Sequence, residues 1–261
     1  MIVGRRAKTH LAALLVTSAL ALLAVPSLGW ASSGSGGTGF GASPTTTFAT
    51  AAVHLGDVTT TATDGGITLS ARVSALLSHV MHFTGVVPAS DAGQKVIVER
   101  FDRVQGWLRT ASGVAGPDGS FSIPWHTNHI GRFAIRALLL RGSVAGLRAA
   151  SNSPTVNVTV YLPAIASWYG PGSWGSTTAC GNVLKPGTFG VAHRWLKCGT
   201  PVALYYGGRT IVVPVIDRGP YANHADWDLT EATAQVLHMD GVATIGAVSL
   251  PASAPTSSSA K

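Results

Sequence analysis

Acidic residues are scarce in this chain, with 11 Asp and Glu against 18 Lys and Arg in 261 residues. The surplus of basic residues is scattered and forms no stripe, which argues against DNA as a partner and suits an anionic cell wall better. Cysteine is rarer still. Cys180 and Cys198 are the only two, so a disulfide-dense framework is excluded and one bridge is the most the chain can make. Long apolar runs are absent after the first thirty residues. The one run there, residues 11–25, follows Arg5, Arg6, Lys8 and His10 and precedes Gly29-Trp30-Ala31. It is too short for a membrane span and reads as a secretory signal cut after Ala31. No cysteine follows to carry a lipid, and the residues after Arg5-Arg6 fit a twin-arginine signal poorly. Without this leader the formal charge falls from +7 to about +4. The mature chain is therefore expected in the secreted or cell-wall compartment with no membrane span, where Cys180 and Cys198 are expected to pair.

What remains divides by composition. Residues 32–50 are Gly, Ser and Thr rich and cannot bury enough apolar surface to order, so they read as a flexible linker, and residues 251–261 read as a disordered tail. Between them ITLSARV, HVMHFTGVV, QKVIVERFD, GWLRTASGV, GSFSIPW, GRFAIRALL and PTVNVTVY alternate apolar and polar residues at about ten-residue spacing. Turn chemistry such as Gly116-Pro117-Asp118-Gly119 separates them, which predicts antiparallel strands packed as a two-sheet sandwich over residues 51–161. FTGVVPASDAGQKVIVERFD, then GW, then DGSFS resembles the bacterial immunoglobulin-like modules of exported proteins, which implies a spacer or adhesive role. Residues 162–250 hold shorter runs, IASWYG, FGVAHRWL, PVALYY, RTIVVPVID and ATIGAVSL. One helical stretch, TEATAQVLHM, carries Ala232, Val236 and Met239 at helical spacing.

The scarcity of acids makes one stretch conspicuous. VIDRGPYANHADWDLTE crowds Asp217, Asp226, Asp228 and Glu231 beside His224. Crowded carboxylates fit a solvated loop or a site where one charge tunes the proton affinity of another. ASWYGPGSWGSTTACGNVL, GVAHRWLKCGTPVAL, VIDRGPY and WDLTEATAQVL resemble, in order and spacing, the double-psi β-barrel of the rare lipoprotein A family of septal lytic transglycosylases. Barwin proteins and expansins share that barrel more distantly. The resemblance covers residue 166 to about residue 250. With the immunoglobulin-like pattern before it, this makes the expected chain mostly β: an immunoglobulin-like β-sandwich followed by a six-stranded double-psi β-barrel with one short helix. It also implies a partner, the glycan strands of peptidoglycan, and no cofactor.

The family's functional positions fall on Asp217 and His193, and Asp228 matches the aspartate of the expansin DLS motif. Where the family often carries a glutamate this chain has Asn182, which has no proton to give. Trp168, Tyr169, Trp174 and Tyr221 offer flat faces for sugar rings, with Asn182 and Arg218 as further substrate-binding candidates. Glycosidic cleavage needs a proton for the leaving oxygen, and a lytic transglycosylase manages with one acid that later acts as base, because the sugar's own hydroxyl attacks. That role falls on Asp217.

Ordinary readings stand beside each of these. Asp217 begins an Asp-Arg-Gly-Pro turn, where Asp commonly bonds its own backbone. Asp228 and Glu231 have capping-box spacing. His193 suits a hydrogen-bonded core, and Trp168 and Tyr169 can plug the barrel end. A zinc site at His193, His224 and the aspartates lacks recognised ligand spacing. Cys180 as a nucleophile with His193 as base competes with the disulfide. Three functions follow: a lytic transglycosylase, an expansin-like wall-binding or wall-loosening module without bond chemistry, and an inhibitor or adhesion protein acting through the sandwich.

Overall fold

The computed structural model describes residues 58–140, 153–222 and 224–251. The leader, the whole linker, residues 51–57 of the expected sandwich and the tail after Pro251 lie outside the described residues. Alternation dictates the first half. Strands β1 (Thr59–Asp64), β2 (Ile67–Arg72), β4 (Val80–Val86) and β7 (Ser120–His126) form one antiparallel sheet in the order β1-β2-β4-β7. Its inward residues, Leu69, Phe83, Ile123 and Trp125 among them, recur at every second position, as a pleated strand requires. The facing strands β6 (Gly106–Val114), β5 (Lys95–Asp102), β8 (Gly131–Leu140) and β9 (Thr155–Tyr169) supply Val96, Val98, Ile135, Val158 and Val160 to the same core. A short strand, β3 (Ser74–Leu76), runs parallel to β9 at the edge. Phe83 and Trp125 stack at 5.8 Å between ring centres. This is the expected pair of packed sheets, with β1 and β3 added to the seven strands read from sequence.

PTVNVTVY and IASWYG, expected as two strands, are one. The fifteen-residue strand β9 runs from the sandwich into the barrel, crossing the expected boundary at residues 161 and 162. Pro163 is tolerated there because at that point β9 pairs only with β14 (Ala243–Ser249) on one side. Tyr161, Ala203 and Val248 are buried at this crossing, with the partly buried Leu76, Tyr205, Val212 and Leu250 packed against them, and Tyr161 stacks on Tyr205 at 5.4 Å.

The second half is a closed ring. β9 pairs with β14, then come β11 (Pro201–Tyr206), β12 (Arg209–Asp217), β10 (Val191–Ala192) and β13 (Trp227–Thr230), which returns in parallel to β9. Six strands thus leave no open edge. Val191, Val202, Leu204, Ile211, Val213, Val215, Leu229 and Ile245 fill its centre. The helix α1 (Glu231–Leu237) lies against it through Ala234 and Leu237, with Met239 packed just beyond. It is shorter than the expected TEATAQVLHM, because His238 adopts the left-handed conformation and ends it. No helix among the described residues is long and apolar enough to cross a membrane.

Two local readings are corrected. Of FGVAHRWL only Val191 and Ala192 are strand, because the His193 ring nitrogen Nδ1 accepts the backbone N–H groups of Trp195 and Leu196 and turns the chain. Asp228 and Glu231 form no capping box. WDLT is strand β13, Thr230 is the residue before the helix, and no side chain caps its amides. Parallel pairing of Asp228 with Ser167 holds that segment extended.

Cys180 and Cys198 are bonded, with Cα atoms 5.7 Å apart. Reduction should lower the unfolding free energy by about 3 kcal/mol, the chain-entropy value for a loop closed across a separation of 18. Denaturant titration with and without reductant measures it, and an unchanged midpoint would contradict it.

Candidate functional site

The site is built around the two-residue strand β10. Ala192 pairs in parallel with Asp217, the last residue of β12, and antiparallel with Asp228, the second residue of β13. The two aspartates therefore sit two strand spacings apart, about 10 Å between backbones, with a small alanine between them. Space is kept small here too: a side chain on Gly190, just before β10, would meet Ile216 at 2.5 Å.

The two carboxyl groups differ in environment. Asp217 Oδ1 accepts the backbone N–H groups of Ala179 and Arg218, each at 2.8 Å. Ala179 is fixed because its neighbour Cys180 is tied to Cys198 and donates its own N–H to Ile216 O at 3.3 Å. The Arg218 side chain turns away from the carboxyl group. Its guanidinium reaches the carbonyl oxygens of His193 and Asp217, at 3.5 and 3.3 Å, and Cys198 Sγ at 3.4 Å. Asp228 accepts a hydrogen bond from Ser167 Oγ at 2.8 Å. Burial pushes its pKa up, the Asp217 charge adds to that, and the serine bond works in the opposite direction. The Tyr169 hydroxyl lies beside both: burial first, then the charges of Asp217 and Asp228, hold its proton far above the usual phenol range.

The other candidates take different places. The half-buried His193 ring packs 4.4 Å from Trp227, and its Nδ1 is occupied by the two backbone donors of its turn. Burial, then Arg194 and Arg218, lower its pKa, so it is a neutral imidazole at pH 7 with its proton on Nε2. The only acid acting on it is Asp226, not the aspartate pair. Asp226 itself clasps β9, exchanging bonds with Ile165 through its own N–H and its Oδ2. Glu231 accepts from Gln235 on the helix. The acidic stretch thus contributes two carboxyls to one place and spends the other two on structure. Asn182 is exposed in a turn closed by two bonds with Thr178. Among the described residues no three His, Cys, Asp or Glu side chains gather as a metal ion requires.

Trp168 is half-buried against the barrel core, whereas Trp174 is 46% and Tyr221 79% exposed. Sequence reasoning missed four groups. Ser167 and the Ala179 N–H bond the two aspartates. Trp195 is 83% exposed next to the His193 turn. Arg194 binds Pro220 O at 2.7 Å and Ala225 O at 2.6 Å, tying the loop after Asp217 to that turn. Only Trp195 left a signal, as an aromatic inside the AHRWL motif.

A family model described as lytic transglycolase matches residues 163–249, the segment that forms the ring. The probable endolytic peptidoglycan transglycosylase RlpA of Aquifex aeolicus is 41% identical over 86 residues, 31% of this chain and 38% of that protein. Its namesake in Synechocystis is 38% identical over 85 residues, 31% of this chain and 26% of the relative. The endolytic peptidoglycan transglycosylase RlpA of Campylobacter jejuni is 31% identical over 109 residues, 37% and 40%. The chain spans two-fifths or less of the length of these relatives. The agreement is confined to the barrel: residues 163–249 match that family model and are similar to a part of each of these relatives.

Proposed function

We propose that the barrel cleaves the glycan strands of peptidoglycan as a lytic transglycosylase, in the secreted or cell-wall compartment, with Asp217 as acid and then base. The observation that carries this is the pairing of Asp217 and Asp228 across Ala192. Burial, with the Asp217 charge adding to it, raises the proton affinity of Asp228, so the pair retains a proton at a pH where an isolated carboxyl has lost it. Asp217 is the delivering member because two backbone donors fix its Oδ1 and leave Oδ2 outside those bonds. As the bond to the leaving sugar breaks, that sugar's oxygen takes the proton. The ionised Asp217 then takes the proton of the attacking hydroxyl as the anhydro ring closes. Atoms balance without water. The relatives named as peptidoglycan transglycosylases support the substrate class. Trp174, Trp195 and Tyr221 supply exposed faces for sugar rings, and neutral His193 with Arg194 holds the loop that carries Tyr221. The sandwich, read as immunoglobulin-like, serves as spacer.

One observation favours a second reading. Asn182 stands exposed where the family often has a glutamate, so a barrel that binds wall glycan without cutting it, as in expansins, fits the same surface. Purified protein on peptidoglycan stripped of stem peptides separates the two. The transglycosylase reading predicts anhydro-ended fragments by mass spectrometry, reduced at least about 100-fold by Asp217→Asn. Glycan retention by both forms with no released fragments would overturn it in favour of the binder.

The Asp228 pKa also dictates a stability profile. Its folded value is raised, so the folded state gains from protonation. The cost of its charge is absent below the ordinary value of 3.8, grows as pH rises through the raised one and then stays constant. Asp228→Asn, which keeps an oxygen for the Ser167 hydroxyl, should melt higher than the parent at pH 7, with the gap closing below pH 3.8. Thermal melts across pH check this, and a variant that melts lower at pH 7 would contradict it.

A further inference from the structure

Strand β12 loses one partner before it ends. Its pairing with β11 stops where Pro214 faces Pro201, whereas Val215 and Asp217 still pair with β10. The last residues are held by two loops instead. In the segment that carries Cys198, the Gly199 N–H donates to Val215 O at 2.8 Å and Thr200 O accepts the Val215 N–H at 2.9 Å. In the segment that carries Cys180, the Cys180 N–H donates to Ile216 O at 3.3 Å and the Ala179 N–H to Asp217 Oδ1 at 2.8 Å. Arg218 completes the series, with its guanidinium on Cys198 Sγ at 3.4 Å. Residues 215–218 are thus each bonded to a residue within two positions of a cysteine. Neither segment belongs to a strand or helix at its cysteine, and both Ala179 and Cys198 are exposed. A hydrogen bond at such a surface is worth only about 1 kcal/mol net, too little to hold a loop alone. What the two loops have besides is the bond between Cys180 and Cys198.

We propose that Cys180 and Cys198 are positioning residues for the acid: their bond keeps the Ala179 N–H on Asp217 Oδ1, so the carboxyl group is oriented while the disulfide is intact and loses that donor when it is reduced. This rests on the reading of Asp217 as the acid. Rotation of a carboxyl group about its last bond is soft and nearly two-fold, so outside donors decide which oxygen stands where. Arg218 N–H, the remaining donor, belongs to the adjacent residue and moves with the chain it would have to steer. An acid out of place slows proton delivery without weakening the hold on the glycan, because the exposed aromatic faces lie on other residues. The coupling is reciprocal: a disulfide that secures the Ala179 bond is itself secured by it.

Two measurements on the full chain test this. A dithiol reaches the exposed Cys198 sulfur, supplies two electrons by closing to its own cyclic disulfide, and leaves two protein thiols. On stripped glycan strands, where circular dichroism shows the reduced chain folded, kcat should fall about 10- to 100-fold with KM within about twofold. Cys180→Ala/Cys198→Ala should match the reduced protein, and re-oxidation of the parent should restore its rate. The second measurement needs no turnover. The equilibrium with the dithiol should shift about 2- to 10-fold toward the thiols in Asp217→Ala, which has no oxygen for Ala179. Asp226→Ala, which loses a bond to Ile165 instead, should leave it within about twofold. If the parent releases no fragments, the transglycosylase reading fails and the exchange equilibrium still decides the coupling. A reduced protein with full kcat, a loss carried by KM alone, or an equilibrium unmoved by Asp217→Ala or moved equally by Asp226→Ala would each overturn the proposal.

Discussion

Two carboxyl groups that repel one another are held at the same level of a small barrel by a strand two residues long. Everything else at the site answers to that constraint. Ala192 pairs with both Asp217 and Asp228, and backbone hydrogen bonding of its flanking strands fixes their separation whatever the charges prefer. Ring closure makes this affordable. β13 is anchored on its other side to β9, so it has no free edge along which to slide. Ser167 and the backbone donors of Ala179 and Arg218 then give each carboxyl a partner of its own. Burial first, and the residual repulsion after it, appear as a raised proton affinity at Asp228.

The surrounding loops serve this arrangement. The bridge between Cys180 and Cys198 keeps Ala179 against the end of β12, and Arg218 lies across its sulfur instead of neutralising Asp217. Arg194 fastens the loop that follows, and the His193 ring closes the turn from which Arg194 projects. An arginine turned toward the carboxyl would stabilise its charged form and remove it as an acid. Two arginines nearby, both committed to carbonyl oxygens, bring the loops together without doing so.

How much of this was legible in the sequence depends on whether the deciding contact is local. Strands such as Gly106–Val114 and Arg209–Asp217 are set by alternation and turn residues, and they stand where the pattern puts them. The four motifs gave the barrel and its aspartates because their order reflects the ring itself. What escaped was decided at long range. WDLT looks like a helix start until β9 arrives to pair with it. The break at Pro163 looks real until one sees that the strand there is paired on one side only. Trp168 and Tyr169 read alike as sugar faces, yet one packs on the core and the other turns its hydroxyl toward two acids. No spacing rule shows which way an aromatic tip points.

The account stands or falls on whether the two aspartates feel one another. Side-chain carbon NMR titration of Asp228, in the parent and in Asp217→Asn, measures this directly. The account predicts that Asp228 titrates above the ordinary carboxyl range in the parent and moves downward when the neighbouring charge is removed. An Asp228 that titrates at or below the ordinary range, indifferent to its neighbour, would contradict it.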